Sequence, residues 1–184
     1  MWNKIAAIAL GLVLAGGAAA QRQVAPVAVT QAAPGVYWVA GGSGANTGIL
    51  IGSSEVVVID AKMTAESARA VLAEIARLTP RKVTRVVLTH SDGDHVNGLV
   101  GYPASVRVLA HANAARDMTA AGVARAVDET ITGRRPLDLA GLRVELLHFG
   151  PAHTDGDLVV WLPERKVAFV GDLVFIGRDP LIHL

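Results

Sequence analysis

Apolar residues fall in short blocks along this chain, and the spacing inside each block separates strands from helices. Val36 to Ala40, Thr47 to Ile51, Val56 to Ile59, Val83 to Leu88 and Val106 to Ala110 are short runs rich in β-branched residues, the pattern of strands. Gly52-Ser53-Ser54-Glu55 makes a hairpin-like connection, and Asp60 stands where the strand from Val56 gives out. Leu142 to Leu147, Leu158 to Leu162 and Lys166 to Val170 repeat the strand pattern, the last two joined by the turn Pro163-Glu164-Arg165. Between Ala65 and Leu78 the period changes. Ala68, Val71, Leu72, Ile75, Ala76 and Leu78 recur at helical spacing, with Glu66, Arg69, Glu74 and Arg77 outside them, Thr64 as N-cap and Thr79-Pro80 as the stop. His111 to Ala120 reads as a second helix with Ala and Met on its inner face. Strands interleaved with helices predict a layered α/β domain over residues 34–184, with helices packed against a mixed sheet or sheets.

The N-terminus changes the picture of where the chain works. Lys4, the apolar stretch Ile5 to Leu14 and the small residues to Ala18-Ala19-Ala20 have the layout of a secretory signal peptide over residues 1–20, cleaved after Ala20. Ile5 to Ala20 is shorter than the ~20 residues that span a bilayer, so the expectation is a periplasmic or secreted protein with no membrane contact once the signal is gone. Residues 21–33 read as a flexible leader.

The 17 Lys and Arg lose Lys4 with the signal and fall level with the 16 Asp and Glu. Such a neutral chain, its cations scattered, excludes an electrostatic nucleic-acid footprint and points to a small-molecule partner. About 160 residues remain, enough for one domain with a sizeable core, and oligomeric state is not written in them. With 0 Cys there are no disulfides, so any metal must be held by nitrogen and oxygen.

The segment Thr89-His90-Ser91-Asp92-Gly93-Asp94-His95 carries the chemistry. Four potential metal ligands stand directly after the strand Val83 to Leu88, where a buried strand delivers a loop to a sheet edge. In extended backbone alternate side chains share a side, so His90, Asp92 and Asp94 are expected to converge, with His95 approaching from a second direction. Burying two imidazoles and two carboxylates without partners would cost several kcal/mol, on the order of ~2 or more for each, unless a metal or ion pairs satisfied them. His153 and Asp172 also follow or end strand-like runs and join the candidate set.

Taken in order, Asn46-Thr47-Gly48, Val58-Ile59-Asp60, Thr89-His90 through His95 with Gly98, Ala152-His153-Thr154 and Gly171-Asp172 resemble the successive signatures of the metallo-β-lactamase fold superfamily. The resemblance runs from about Gly35 to the last residue. It implies an αββα sandwich of mixed β-sheets flanked by helices, and a metal-dependent hydrolase. By the same resemblance His90 and His153 hold a first metal, Asp94 and His95 a second, and Asp172 bridges them. The implied cofactor is Zn2+, two ions per chain, with a metal-bound hydroxide attacking a carbonyl substrate: a β-lactam, lactone, thioester or other ester. Asp94 is then the catalytic carboxylate that handles the leaving-group proton.

The sequence departs from the family twice. Asp92 stands where a second His is usual, so it is either a ligand that favours harder ions such as iron or manganese, or an orienting carboxylate beside a single metal. Family members also continue past the Gly-Asp motif to one more His, which His183 does not match, so the chain reads as truncated at its C-terminus. A di-iron redox protein of the same fold and a non-catalytic metal-binding fragment are the alternatives. Elsewhere His111 is expected to pack or cap, His148 to be structural, and Asp60 and Asp157 to support the metal loops or simply end their strands. Asn97 and the flexible loop Gly41 to Gly44 are candidates for the substrate mouth.

Overall fold

In the computed structural model, which describes residues 25–139, 141–177 and 179–180, strand alternation sorts the apolar residues into two cores. A seven-stranded sheet is built from β1 (Val27–Ala33), β2 (Val36–Gly41), β3 (Thr47–Ile51) and β4 (Val56–Ile59), then, after α1 (Ala65–Leu78), from β5 (Val83–Val87). The chain turns through α2 (Gly93–Val96) and a 3-10 turn, Asn97–Gly101, into β6 (Arg107–His111), α3 (Ala112–Ala120) and β7 (Glu129–Ile131). The spatial order is β1 to β7 in sequence, antiparallel as far as β4 and parallel from there on. A second, antiparallel sheet has the order β11-β10-β9-β8, from β8 (Arg134–Leu139), β9 (Leu142–Leu147), β10 (Val159–Leu162) and β11 (Val167–Phe169).

In β4, Val56 and Val58 face the helices while Val57 and Ile59 face the second sheet, all at most 1% exposed. Both faces of the central strands are covered, which is why they read as continuous apolar runs instead of alternating ones. α1 sends Ala68, Val71 and Ile75 into the first core, and α3 adds Ala114 and Met118 to it. The second core lies between the sheets and takes Leu139, Val144, Leu146, Leu158, Val160 and Leu162 from the second one. Thr64 caps α1 by accepting from the Ser67 amide, as expected, which contributes about 1 kcal/mol. No described helix is long and apolar enough to cross a membrane, and the proposed signal, residues 1–20, lies outside the described residues.

The structure corrects the sequence reading in three places. Residues 27–33 are not a flexible leader but strand β1, paired along β2 with Val27 and Val29 packed on the first core. Only two apolar residues alternate there, because an edge strand needs just one buried face, so the signal was weak. β7 and β8 were not anticipated either; β8 is an edge strand carrying Pro136, a residue tolerated in a sheet at such a margin. The segment 90–94 is not extended throughout, because it turns helical at Gly93. Asp92 is the N-cap of α2, so the backbone turns at Gly93 and sends Asp92 and Asp94 in different directions.

The parallel strands end together at one rim of the sheet, and that rim places the site. Asp60 follows β4, the segment from Thr89 to His95 follows β5, and the loop holding His153 joins β9 to β10 beside them. Gly98 fixes the turn after α2: a Cβ there would lie 2.0 Å from the Ala61 carbonyl oxygen, and its amide donates to the Lys62 carbonyl at 2.8 Å. Only glycine permits so close an approach.

Candidate metal centre

His90, His95 and His153, each at most 3% exposed, converge where the two sheets meet. The His90 ring lies 4.0 Å from that of His95 and 4.8 Å from that of His153, centroid to centroid. His153 Nε2 is 3.2 Å and His90 Nε2 3.8 Å from the same Asp92 oxygen, Oδ2. On the other side His95 Nε2 is 3.2 Å from Asp172 Oδ1 and 3.7 Å from Asp94 Oδ2, while Asp172 Oδ2 reaches to 3.9 Å from His153 Nε2. Two groups of donor atoms result, His90 with Asp92 and His153, and His90 with His95 and Asp172, each within 4.8 Å. All six residues singled out from the sequence therefore gather here. Asp94 stands at the margin, its side chain 40% exposed and in neither group.

Asp60 organises this cluster from behind. Its carboxylate accepts from the Thr89 amide, from the Thr89 hydroxyl and from His95 Nδ1, each at 2.8 Å. Thr89 Oγ1 in turn lies 3.0 Å from His90 Nδ1. Burial pushes the Asp60 carboxyl up, but the charge and hydrogen bond of His95, with lesser help from His90 and Thr89, bring it below the usual carboxylate range. Burial presses His95 down, yet Asp60, Asp94 and Asp172 together raise it to about 9. His90 is held below its ordinary value by burial and by the neighbouring His95 charge.

These residues fit a metal. The Nε2 atoms of His90 and His95 are fully buried and have no hydrogen-bond partner among the described residues, a cost that a coordinated ion removes. With Nδ1 of His95 held against the Asp60 carboxylate, Nε2 is the ring nitrogen that would give up its proton to an ion, the usual arrangement behind a metal-binding imidazole. Three carboxylates around three imidazoles supply nitrogen and oxygen donors suited to a divalent cation.

A family model for the metallo-beta-lactamase superfamily matches residues 40–184. The chain belongs to that superfamily. Among similar proteins, the 2,4-dinitroanisole O-demethylase subunit alpha of Nocardioides sp. (strain JS1661) is 26% identical over 162 residues, covering 83% of this chain and 48% of that one. A metallo-beta-lactamase type 2 from Bacillus sp. (strain 170) is 24% identical over 134 residues, 70% of this chain and 51% of the relative. The crystal structure of the DIM-1 metallo-beta-lactamase superposes with a TM-score of 0.72 at 17% identity, over 85% of this chain and 74% of that one. The chain thus has the superfamily's mixed-sheet fold and spans about half the length of these two curated relatives. Superfamily membership implies a divalent metal, for which the two donor groups are the candidates.

The remaining sequence candidates separate into supports and bystanders. Asp157 accepts from the Thr154 amide at 2.9 Å and hydroxyl at 2.8 Å, bracing the loop around His153. Arg116 grips Asp155 of the same loop through both carboxylate oxygens, at 3.0 and 2.9 Å. His111 caps α3 by accepting from the Asn113 amide, and His148 stacks on it at 4.1 Å. Asn97 does not line the cleft at the metal centre, whereas Gly44 does. His183 lies outside the described residues.

Sequence reasoning missed Lys62, which holds the glycine loop in place. Its side chain is fully buried, and Nζ donates to the carbonyls of Ala45 at 2.6 Å, Gly41 at 2.9 Å and Val39 at 3.4 Å. One lysine after an apolar strand has no distinguishing local pattern, so nothing marked it. Burial pulls the ammonium from 10.5 down to about 8, against the opposing pull of Asp60. Between about pH 8 and 10.5 the unfolded chain therefore binds more protons at this site than the folded one, and stability rises with pH there. Across that window the urea midpoint of the native protein is expected to rise relative to that of Lys62→Met, since the opposite slope from the raised His95 is common to both; parallel pH profiles in the two proteins would refute the assignment.

Proposed function

We propose that this chain is a metal-dependent hydrolase of small carbonyl compounds, exported by its N-terminal signal, with a two-metal site. His90, Asp92 and His153 would hold the first ion and His95 and Asp94 the second, with Asp172 near enough to both histidine sets to serve either. The observation that carries this reading is the pair of buried Nε2 atoms, on His90 and His95, that have no hydrogen-bond partner among the described residues and face carboxylates on opposite sides. Zinc is the first choice for such a site, and the three carboxylates leave iron or manganese as substitutes.

When bound, the metal supplies Lewis acidity and a water acidic enough to ionise near neutral pH. The protein does the rest. Asp60 and Thr89 lock the imidazoles in orientation, and their buried surroundings exclude bulk water. In the reaction a water oxygen adds to the acyl carbon, the bond to the leaving group breaks, and the leaving group takes a proton. Asp94 is the carboxylate for that transfer, since it lines the cleft and is half-exposed. The substrate is an ester, lactone, thioester or β-lactam. Ala18-Ala19-Ala20 after an apolar stretch supports export.

Elemental mass spectrometry on protein starting at Gln21 and purified without chelator tests the reading, followed by ester hydrolysis before and after metal removal. About two zinc ions per chain are expected, with activity abolished by a chelator and restored by zinc. Iron with redox-dependent absorbance would favour the di-iron alternative. No stoichiometric metal, or hydrolysis indifferent to the chelator, would end the proposal.

A further inference from the structure

A cleft of about 770 Å3 opens on the His95 and Asp172 side of the centre. Its walls are mostly apolar. Trp38 on β2 and Phe169 on β11 form part of them, and Val174, Phe175 and Ile176 continue along the segment after Asp172. Phe169 lies against Gly48, where a Cβ would come 2.5 Å from the ring, so β3 and β11 close together at this point. Trp38 is 38% and Ile176 95% exposed, large apolar surface left in contact with solvent beside the site. Scattered exposed apolar residues are ordinary, but a group of them lining one concave site marks a binding surface.

The carboxylates Asp60, Asp94 and Asp172 dominate the charge of this cleft, His95 being the one basic side chain among its described lining residues. None of those residues is a Lys or Arg. Lys62 stands behind the glycine loop with its ammonium committed to three backbone carbonyls. Two divalent ions would bring four positive charges, which Asp92, Asp94, Asp172 and the buried Asp60 would together balance, leaving little positive field along the apolar wall. An anionic group placed there would lose hydration without gaining a partner.

We propose that the cleft selects an uncharged substrate, an ester or lactone whose apolar acyl arm lies against Trp38 and Phe175, and rejects one carrying a carboxylate on that arm. The inference rests on the hydrolase reading above and narrows its substrate class. β-Lactams with an acidic group directed into the cleft fall outside that class.

Two esters of matched length isolate the charge: p-nitrophenyl hexanoate and the p-nitrophenyl monoester of adipic acid. The zinc-loaded full chain is expected to prefer the hexanoate by 10-fold or more in kcat/KM. Trp38→Ala should raise KM for the hexanoate several-fold more than for p-nitrophenyl acetate. Equal or better turnover of the adipate, or a Trp38→Ala protein with the native KM for the hexanoate, overturns the inference and leaves the hydrolase intact. If no ester is turned over, the hydrolase reading fails, and binding decides the cleft separately. The hexyl ether of p-nitrophenol should then quench fluorescence in the native chain but not in Trp38→Phe, and do so at 10-fold lower concentration than its ω-carboxylate analogue. No quenching, or equal quenching by both ethers, refutes the selectivity.

Discussion

Replacing His90 by Ala is expected to strip the first metal, to weaken the second, and to lower ester hydrolysis by roughly 10^3-fold or more, a loss of about 4 kcal/mol in transition-state stabilisation. The size follows from its position, since His90 alone belongs to both donor groups, between Asp92 and His153 on one side and His95 and Asp172 on the other. Its ring also separates the other two imidazoles, at 4.0 and 4.8 Å. Truncation therefore leaves a small cavity as well as a missing ligand, at a cost in stability of about 1 to 2 kcal/mol. Metal per chain by mass spectrometry and the hydrolysis rate would be measured beside His148→Ala, a histidine in no donor group that should keep its metal. Full metal content in His90→Ala would remove this residue from the centre.

Asp60→Asn should weaken the ion at His95 by 10- to 100-fold, although Asp60 touches no metal. The carboxylate accepts three hydrogen bonds, from the Thr89 amide, the Thr89 hydroxyl and His95 Nδ1. An asparagine of the same shape can still accept from the Thr89 amide, but it presents an NH2 group to the other two. His95 then gains by moving its proton from Nδ1 to Nε2, and the nitrogen required for coordination is blocked. The backbone offers no separate objection, because Asp60 has φ +62, a conformation that asparagine adopts readily. Competition with a chromogenic chelator would resolve two dissociation constants, of which the one assigned to His95 should weaken first. An unchanged pair of constants would show that Asp60 serves only to hold the loop.

Much of the scaffold was readable in the chain because its cause is local. Helix α1 runs from Ala65 to Leu78 as its period and its Thr64 cap indicate, and β3, β4 and β9 begin and end where their apolar runs do. Where the local pattern was thin, the reading failed. β1 buries one face at a sheet margin, and β8 carries Pro136 and charged residues on its open side, so neither stands out from a loop.

The sequence by itself determined most of the strands and helices and their order, the family, and the set of side chains able to bind a metal, because hydrophobic period and ligand type are properties of neighbouring residues. Tertiary structure alone decided which of them meet. Asp92 pairs with His153 across 61 positions and Asp60 with His95 across 35, distances along the chain that local spacing does not constrain. The turn at Gly93 sends Asp92 and Asp94 to different imidazoles, where an extended strand would have put them on one side. Lys62 behind the glycine loop and the cleft walled by Trp38 and Phe169 likewise exist only through packing. Side-chain direction at a strand end depends on how the chain turns and on what the facing sheet brings against it, and both are settled when the two cores close.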